Sequence, residues 1–215
     1  MSLVLYSYWR SGTSYRTRIA LNLKGLAYEI RPVDLRTGAH RQAGYAQLNP
    51  QQLVPALETD EGVLTQSPAI LEWLEAHYPE PALLPKDPWR KAIVRSMAAL
   101  VACDIHPLNN LRVLQALKAQ FQADEAQTSA WARRWIEDGF AALERLIETH
   151  GDGLCYGDQP TLADCCLVPQ VYSADRFGCD LTPFPRVRAA AEAAQALPPV
   201  QAAHPNLQPD APTPG

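Results

Sequence analysis

The stretch from Tyr8 to Leu21, YWRSGTSYRTRIAL, decides how the chain folds. The apolar run Leu3-Val4-Leu5-Tyr6 leads into it with the pattern of a strand. Ser11, Gly12, Thr13 and Ser14 then make a small, hydroxyl-rich corner. Tyr15, Ile19, Leu23 and Leu26 recur at helical spacing, so a helix follows. A strand that runs straight into a helix aims unpaired N–H groups and the positive dipole end at whatever lies over the corner. Such a corner suits a thiolate, a carboxylate or a phosphate. Phosphate is disfavoured, because the corner holds only one glycine, Gly12. A thiolate would have to arrive on a ligand, since no cysteine lies in or near the corner. Simple helix capping by Ser11 or Thr13 accounts for the same residues.

Outward from the corner, Tyr28 to Val33 reads as a second strand, parallel to the first and joined by a right-handed crossover. Thr37 to Leu48, which carries His40, reads as a polar irregular surface segment. Leu53 to Leu57 reads as a third strand entered at Pro55. Glu58 to Gly62 is a hairpin turn, and Val63-Leu64-Thr65 returns antiparallel. Ser67 caps a helix that buries Ile70, Leu71 and Leu74 and stops near Tyr78-Pro79. This order makes residues 1–81 a thioredoxin-like α/β domain. A cis Val54-Pro55 bond there would present the Val54 N–H and C=O to an extended, peptide-like ligand that adds as a strand. Gln66-Ser67 lies at a second strand-to-helix junction, which serves as a carboxylate cradle or as a simple cap.

Residues 82–88 read as a proline-punctuated linker, and 89–215 as an all-helical domain with a proline-rich tail. Apolar residues recur at helical spacing from Trp89 to Phe121, and Pro107 must kink or restart that helix. Ser129 to His150 is a second long helix. Thr161-Leu162-Ala163-Asp164 is a capping box, which gives Asp164 a structural role ahead of a catalytic one. Phe184 to Leu197 is a last helix, and the tail beyond Pro198 reads as loose or wrapped on the surface.

Composition narrows the partners. The chain has 215 residues, 47% of them apolar, and a net charge of −4, which argues against nucleic acid or an acidic membrane surface. No run approaches the ~20 apolar residues of a membrane span. Five cysteines, an odd number with one adjacent pair and no secretion signal, imply reduced thiols in the cytoplasm. No Cys/His cluster has zinc-like spacing, so no metal is expected.

A thioredoxin-like unit, a proline linker and a helical domain resemble the soluble glutathione transferases, and the motifs resemble their zeta class. The class signature S-Y-F/W-R-S-S-C-x-x-R-x-R-I-A-L reads here from Ser7 to Leu21. Leu48-Asn49-Pro50, Val54-Pro55, Gln66-Ser67, His106 through Leu111, Asp164 through Gln170 and Asp175-Arg176-Phe177 extend the match over nearly the whole chain. The chain departs from the signature at Gly12 and Thr13, which replace a serine and a cysteine.

The resemblance implies a glutathione-dependent cis–trans isomerase of a maleyl diketo acid, acting as a homodimer. By position, Ser11 holds the glutathione thiolate, and Thr13 supplies a second hydroxyl. Val54, with Pro55, pairs with the cysteinyl backbone, and Gln66 and Ser67 hold the γ-glutamyl end. His40 and Gln51 lie toward the glycine end, and His106 and Asn110 toward the thiol or γ-glutamyl region. Arg10, Arg112 and Arg176 are the cations for a dianionic substrate, because a guanidinium matches a carboxylate with two parallel donors. Arg10 also flanks the catalytic corner, while Arg16 and Arg18 read as structural. Arg112 favours maleylpyruvate over maleylacetoacetate. A conjugating transferase is the alternative reaction on the same fold.

Overall fold

The computed structural model describes residues 2–212. They fall into two compact units. One comprises the chain up to Ala82 together with the segment from Leu197 onward, and the other is Leu83–Ala196.

The first unit is built from β1 (Val4–Ser7), α1 (Gly12–Leu23), β2 (Glu29–Pro32), α2 (Ala43–Leu48), β3 (Ala56–Thr59), β4 (Gly62–Thr65) and α3 (Ser67–His77). Its sheet has the order β2-β1-β3-β4. β2 runs parallel to β1, while β3 and β4 are antiparallel to their neighbours. Leu5 and Leu57 face each other in the β1–β3 register and are wholly buried. α1 packs on α3, where Ile70 and Leu74 are also fully buried. This is the thioredoxin-like unit that the strand–corner–helix order implies.

The third strand begins later than the hydrophobic pattern suggests, at Ala56 rather than Leu53. The backbone of 53–55 is committed elsewhere. The Leu53 carbonyl accepts from the Tyr45 hydroxyl (2.6 Å) and the Asn49 amide (2.7 Å). The Val54 carbonyl accepts from Thr13, and Pro55 has no N–H to give a ladder. The Val54-Pro55 bond is cis. The segment 37–48 is not irregular: it holds a 3₁₀ turn at Ala39–Arg41 and then α2, whose Tyr45 is buried against the sheet cluster.

The second unit holds α4 (Pro88–Ala99), α5 (Leu111–Phe121), α6 (Glu125–His150), α7 (Leu162–Phe177) and α8 (Pro185–Gln195). Pro107 does restart the helix. After α4 the chain makes a π-helical turn at Leu100–Ile105 and a 3₁₀ turn at His106–Asn109, and Asn110 then caps α5. His106, Asn110 and Arg112 therefore lie in a 3₁₀ turn, at a helix cap and in the first turn of α5, not on one continuous helix. Gly139 lets α6 meet the π turn: a Cβ there would lie 2.3 Å from the Ile105 side chain. α6 buries Ile136, Phe140 and Leu143 on one stripe. The capping box at α7 is present. Asp164, only 1% exposed, accepts from the Thr161 N–H (2.8 Å), the Thr161 hydroxyl (2.8 Å) and the Cys155 N–H (2.9 Å). Burial nevertheless lifts its carboxyl above the ordinary range. Its role is structural.

Two boundaries differ from the sequence reading. Residues 83–84 are not a free linker. Leu83 and Leu84 are buried, and the Leu83 carbonyl accepts the Leu162 N–H (3.0 Å). The segment 198–212 is wrapped onto the first unit, not loose, and does not belong to the helical unit. It forms α9 (Pro198–Ala202), which packs on α1, and a 3₁₀ turn at Pro205–Leu207. The reason lies in α1, whose polar side chains Asn22 and Arg18 reach the carbonyls of Pro199 (2.9 Å) and Ala203 (3.0 Å).

Candidate active site

The corner between β1 and α1 is a β-turn followed by a helix start. The Ser11 N–H donates to the Tyr8 carbonyl (3.0 Å), so Trp9 and Arg10 are the central residues of the turn. Ser11 is the N-cap of α1, and its Oγ accepts from the Ser14 N–H (3.3 Å). Capping and ligand binding are thus not alternatives. The cap takes one lone pair of the oxygen and leaves the hydroxyl proton to be given elsewhere. No acidic side chain sits in the first turn of α1 to oppose an anion.

Thr13 lies 2.9 Å from the Ser11 oxygen. Its own proton is committed, because the Thr13 hydroxyl donates to the Val54 carbonyl at 2.8 Å. In this arrangement Ser11 donates to Thr13. Thr13 is therefore a tie between the corner and the Val54-Pro55 loop, not the second free hydroxyl that its position suggests. One lone pair of the Val54 carbonyl is taken by this tie.

The second junction, β4 to α3, is strained. Gln66 has φ 68° and ψ 110°, a region that non-glycine residues rarely occupy. Such backbone costs on the order of 1–3 kcal/mol and clusters at ligand clamps. Ser67 is buried, and its Oγ accepts from the Arg16 guanidinium (3.0 Å). A hydroxyl that accepts from a cation is left with its proton to give outward. Arg16 is 2% exposed and Arg18 is fully buried, a rare state for arginine. Arg18 holds the Ser7 hydroxyl (3.0 Å), the Trp9 carbonyl (2.9 Å) and the Ala203 carbonyl. Two buried cations thus stand on α1 beneath the two junctions. Their structural reading from sequence is right in kind, but it missed that Arg16 orients Ser67.

Gln66 donates to Gln51. Gln51 thus stands beside the Gln66-Ser67 junction. Asn49 shapes that loop by holding the Leu53 carbonyl and the Gln51 N–H. His40 is buried, and its Nδ1 has no partner. Burial, then the neighbouring Arg41 charge, push its pKa down, so the ring is neutral with a polar atom in reserve. Arg10 is exposed and stacks over the Trp9 ring at 5.4 Å.

In the helical unit, the Asn110 amide meets His106 Nε2 at 3.4 Å, and the Asn110 carbonyl accepts the Arg112 N–H (3.2 Å). The Arg112 side chain is exposed and has no carboxylate partner among the described residues. Arg176 lies in the last turn of α7 over the Phe177 ring (5.6 Å). Among the described residues no cluster of His, Cys, Asp or Glu is placed to hold a metal, and no helix is long and apolar enough to cross a membrane.

Comparison with known proteins identifies the architecture. The model of the glutathione S-transferase N-terminal domain matches residues 1–76, and that of the C-terminal domain matches residues 115–208. A maleylpyruvate isomerase from Ralstonia sp is 54% identical over 96% of this chain and 98% of its own. A maleylacetoacetate isomerase from Pseudomonas aeruginosa is 55% identical over 97% and 98%. The holo structure of a maleylpyruvate isomerase, described as a bacterial zeta-class glutathione S-transferase, superposes with a TM-score of 0.95 at 52% identity, covering 99% of this chain and all of that one. The chain belongs to the glutathione S-transferase family, among its zeta-class isomerases.

Proposed function

We propose that this chain isomerises maleylpyruvate to its trans isomer, with glutathione as cofactor. The observation that carries this is the Ser11 hydroxyl at the head of α1, with no acid in the helix's first turn. The residues present fit glutathione. Two strand-to-helix junctions offer hydroxyls and backbone N–H groups to anions, and the cis Val54-Pro55 loop lies between them in sequence. His40 Nδ1 adds a buried polar atom without a partner.

Bound glutathione supplies a soft thiolate that adds reversibly to the conjugated double bond, which makes rotation about it possible. Ser11 and the α1 N-terminus hold that sulfur as an anion at neutral pH, where a free thiol (pKa about 8.5) is mostly protonated. Ser11, whose proton now goes to Thr13, would be the donor to that sulfur, while Thr13 keeps the corner fastened to the Val54 loop. Val54 pairs with the cysteinyl backbone through its N–H and the remaining lone pair of its carbonyl. Ser67, oriented by Arg16, and Gln66 take the γ-glutamyl carboxylate, with Gln51 supporting Gln66. His40 serves the glycine end, and His106 with Asn110 the thiol region. Arg10, Arg112 and Arg176 bind the two carboxylates of the substrate and stabilise the negative charge that develops at the ketone oxygen.

Maleylpyruvate is favoured over maleylacetoacetate because Arg112 is an exposed cation without a carboxylate partner among the described residues. It matches a substrate whose second carboxylate adjoins a carbonyl. The same proposal makes the enzyme a cytoplasmic homodimer. Sizing in solution tests the dimer, and thiol titration of the five cysteines tests the reducing compartment.

Side-by-side kinetics on the two maleyl diketo acids, with glutathione present, test the substrate assignment. The expected result is a higher kcat/KM for maleylpyruvate, and turnover of both above that of halogenated acids. A preference for halogenated acids, with Arg112→Ala and Arg176→Ala unaffected, would instead mark a conjugating transferase.

A further inference from the structure

The turn that carries Arg10 to Ser11 is held from outside by the far end of the chain. The Trp9 N–H donates to Asp210 Oδ2 at 2.9 Å. The Trp9 carbonyl accepts from Arg18, whose Nε is tied to the Ala203 carbonyl. Both backbone polar groups of Trp9 thus lead to the segment after Leu197. That segment is itself fastened. The Gln208 amide donates to the Ala202 (3.2 Å) and His204 (2.8 Å) carbonyls, and His204 packs edge-on against Tyr15 of α1. Ala211 joins the buried cluster around Tyr8 and Trp9. A central N–H of a β-turn has no partner within the turn, so this bond is an added restraint.

We propose that Asp210 is a positioning residue for the Arg10–Ser11 corner: its carboxylate fixes the Trp9 peptide, and through the closed turn it sets where the Ser11 hydroxyl and the α1 N-terminus point. This rests on the assignment of Ser11 to the glutathione thiolate, and it extends that assignment to a segment 199 residues away in sequence. The physical need is precision. A hydroxyl that must meet a sulfur within hydrogen-bond reach loses its effect when its turn wanders by an ångström. The Trp9 ring is buried and Arg10 is exposed, and the one side chain that takes the Trp9 N–H is Asp210. Asp210 acts without touching the ligand, so it is not a catalytic residue.

The test uses the full chain, wild type against Asp210→Ala and Asp210→Asn. Amide hydrogen exchange is followed without glutathione, and the ionisation of bound glutathione is followed by thiolate absorbance. Loss of the hydrogen-bond acceptor predicts that exchange at Trp9 rises by up to about tenfold in Asp210→Ala, with α6 amides unchanged. The thiol of bound glutathione should then ionise at higher pH, and kcat should fall more than KM changes. Asp210→Asn keeps a carbonyl acceptor and should stay close to wild type in all three. Wild-type exchange at Trp9 and wild-type thiol ionisation in Asp210→Ala would overturn the proposal. An Asp210→Asn variant as impaired as Asp210→Ala would also overturn it, since the charge and not the acceptor would then matter. Failure of the wild-type chain to bind glutathione would sink the functional assignment alone, because the exchange measurement stands without ligand.

Discussion

Replacing Ser11 by alanine separates what the hydroxyl does for the fold from what it does for the chemistry. In the fold, Ser11 Oγ accepts the Ser14 N–H at 3.3 Å and completes the N-cap of α1. Loss of a serine cap costs about 1 kcal/mol. For a chain of this size that lowers Tm by roughly 2–4 °C, so the variant should fold. In the chemistry, Ser11 gives a hydrogen bond to an anion, worth about 1.5–3 kcal/mol. At 1.36 kcal/mol per unit, the pKa of the bound thiol should rise by roughly 1–2 units. The assay is the pH dependence of kcat with saturating glutathione. Near neutral pH, Ser11→Ala should be slower by about tenfold to a hundredfold, and it should recover as the pH is raised and the thiolate forms. Ser11→Thr, which retains both the cap oxygen and the donor, should keep most of the rate. A Ser11→Ala enzyme with the wild-type pH profile and wild-type kcat would refute the role given to the corner. So would a loss that no increase in pH restores.

Other outcomes follow from the same geometry. Arg16→Met should raise the KM for glutathione by about tenfold with little change in kcat, because Ser67 loses its orienting charged donor; steady-state kinetics in glutathione check this. Asp164→Ala leaves two N–H groups and a hydroxyl unpaired in the core, at a cost of roughly 3 kcal/mol, so Tm should drop by about 6–12 °C while the folded fraction keeps its kcat. Burial, then Arg18, hold the His204 pKa below the ordinary 6.5. The folded state resists protonation there, so this contribution to stability is present above pH 6.5 and is lost as pH falls. His204 Nδ1 also accepts the Asn206 N–H, a bond that protonation breaks. Tm of the wild type should therefore fall on acidification more steeply than that of His204→Asn, as thermal melts across pH would show.

The corner was legible because three independent signals agree over a short span. An apolar strand, a run of small hydroxyl residues and a 3.6-residue repeat all fall between Leu3 and Leu26. The capping box at Thr161 and the break at Pro107 were legible for the same reason, since each is set by a local rule. The supports were not legible. Arg16 and Arg18 look like any helical arginine, and only burial against Ser67, Trp9 and Ala203 reveals their work. The start of β3 is not legible because side chains outside the run, Thr13 and Tyr45, take the carbonyls of Val54 and Leu53. For the C-terminal segment, proline-rich composition leaves loose and wrapped open, and the structure shows it wrapped on α1. Its order comes from α1 partners almost two hundred residues upstream.

The central claim is that the nucleophile is a borrowed thiolate seated on the Ser11 corner. The most direct measurement is the conversion of maleylpyruvate to its trans isomer by the purified chain, with glutathione, with S-methylglutathione and with no tripeptide. Conversion with glutathione alone, and none with the methylated tripeptide, is the predicted result. Equal conversion in all three would contradict the account.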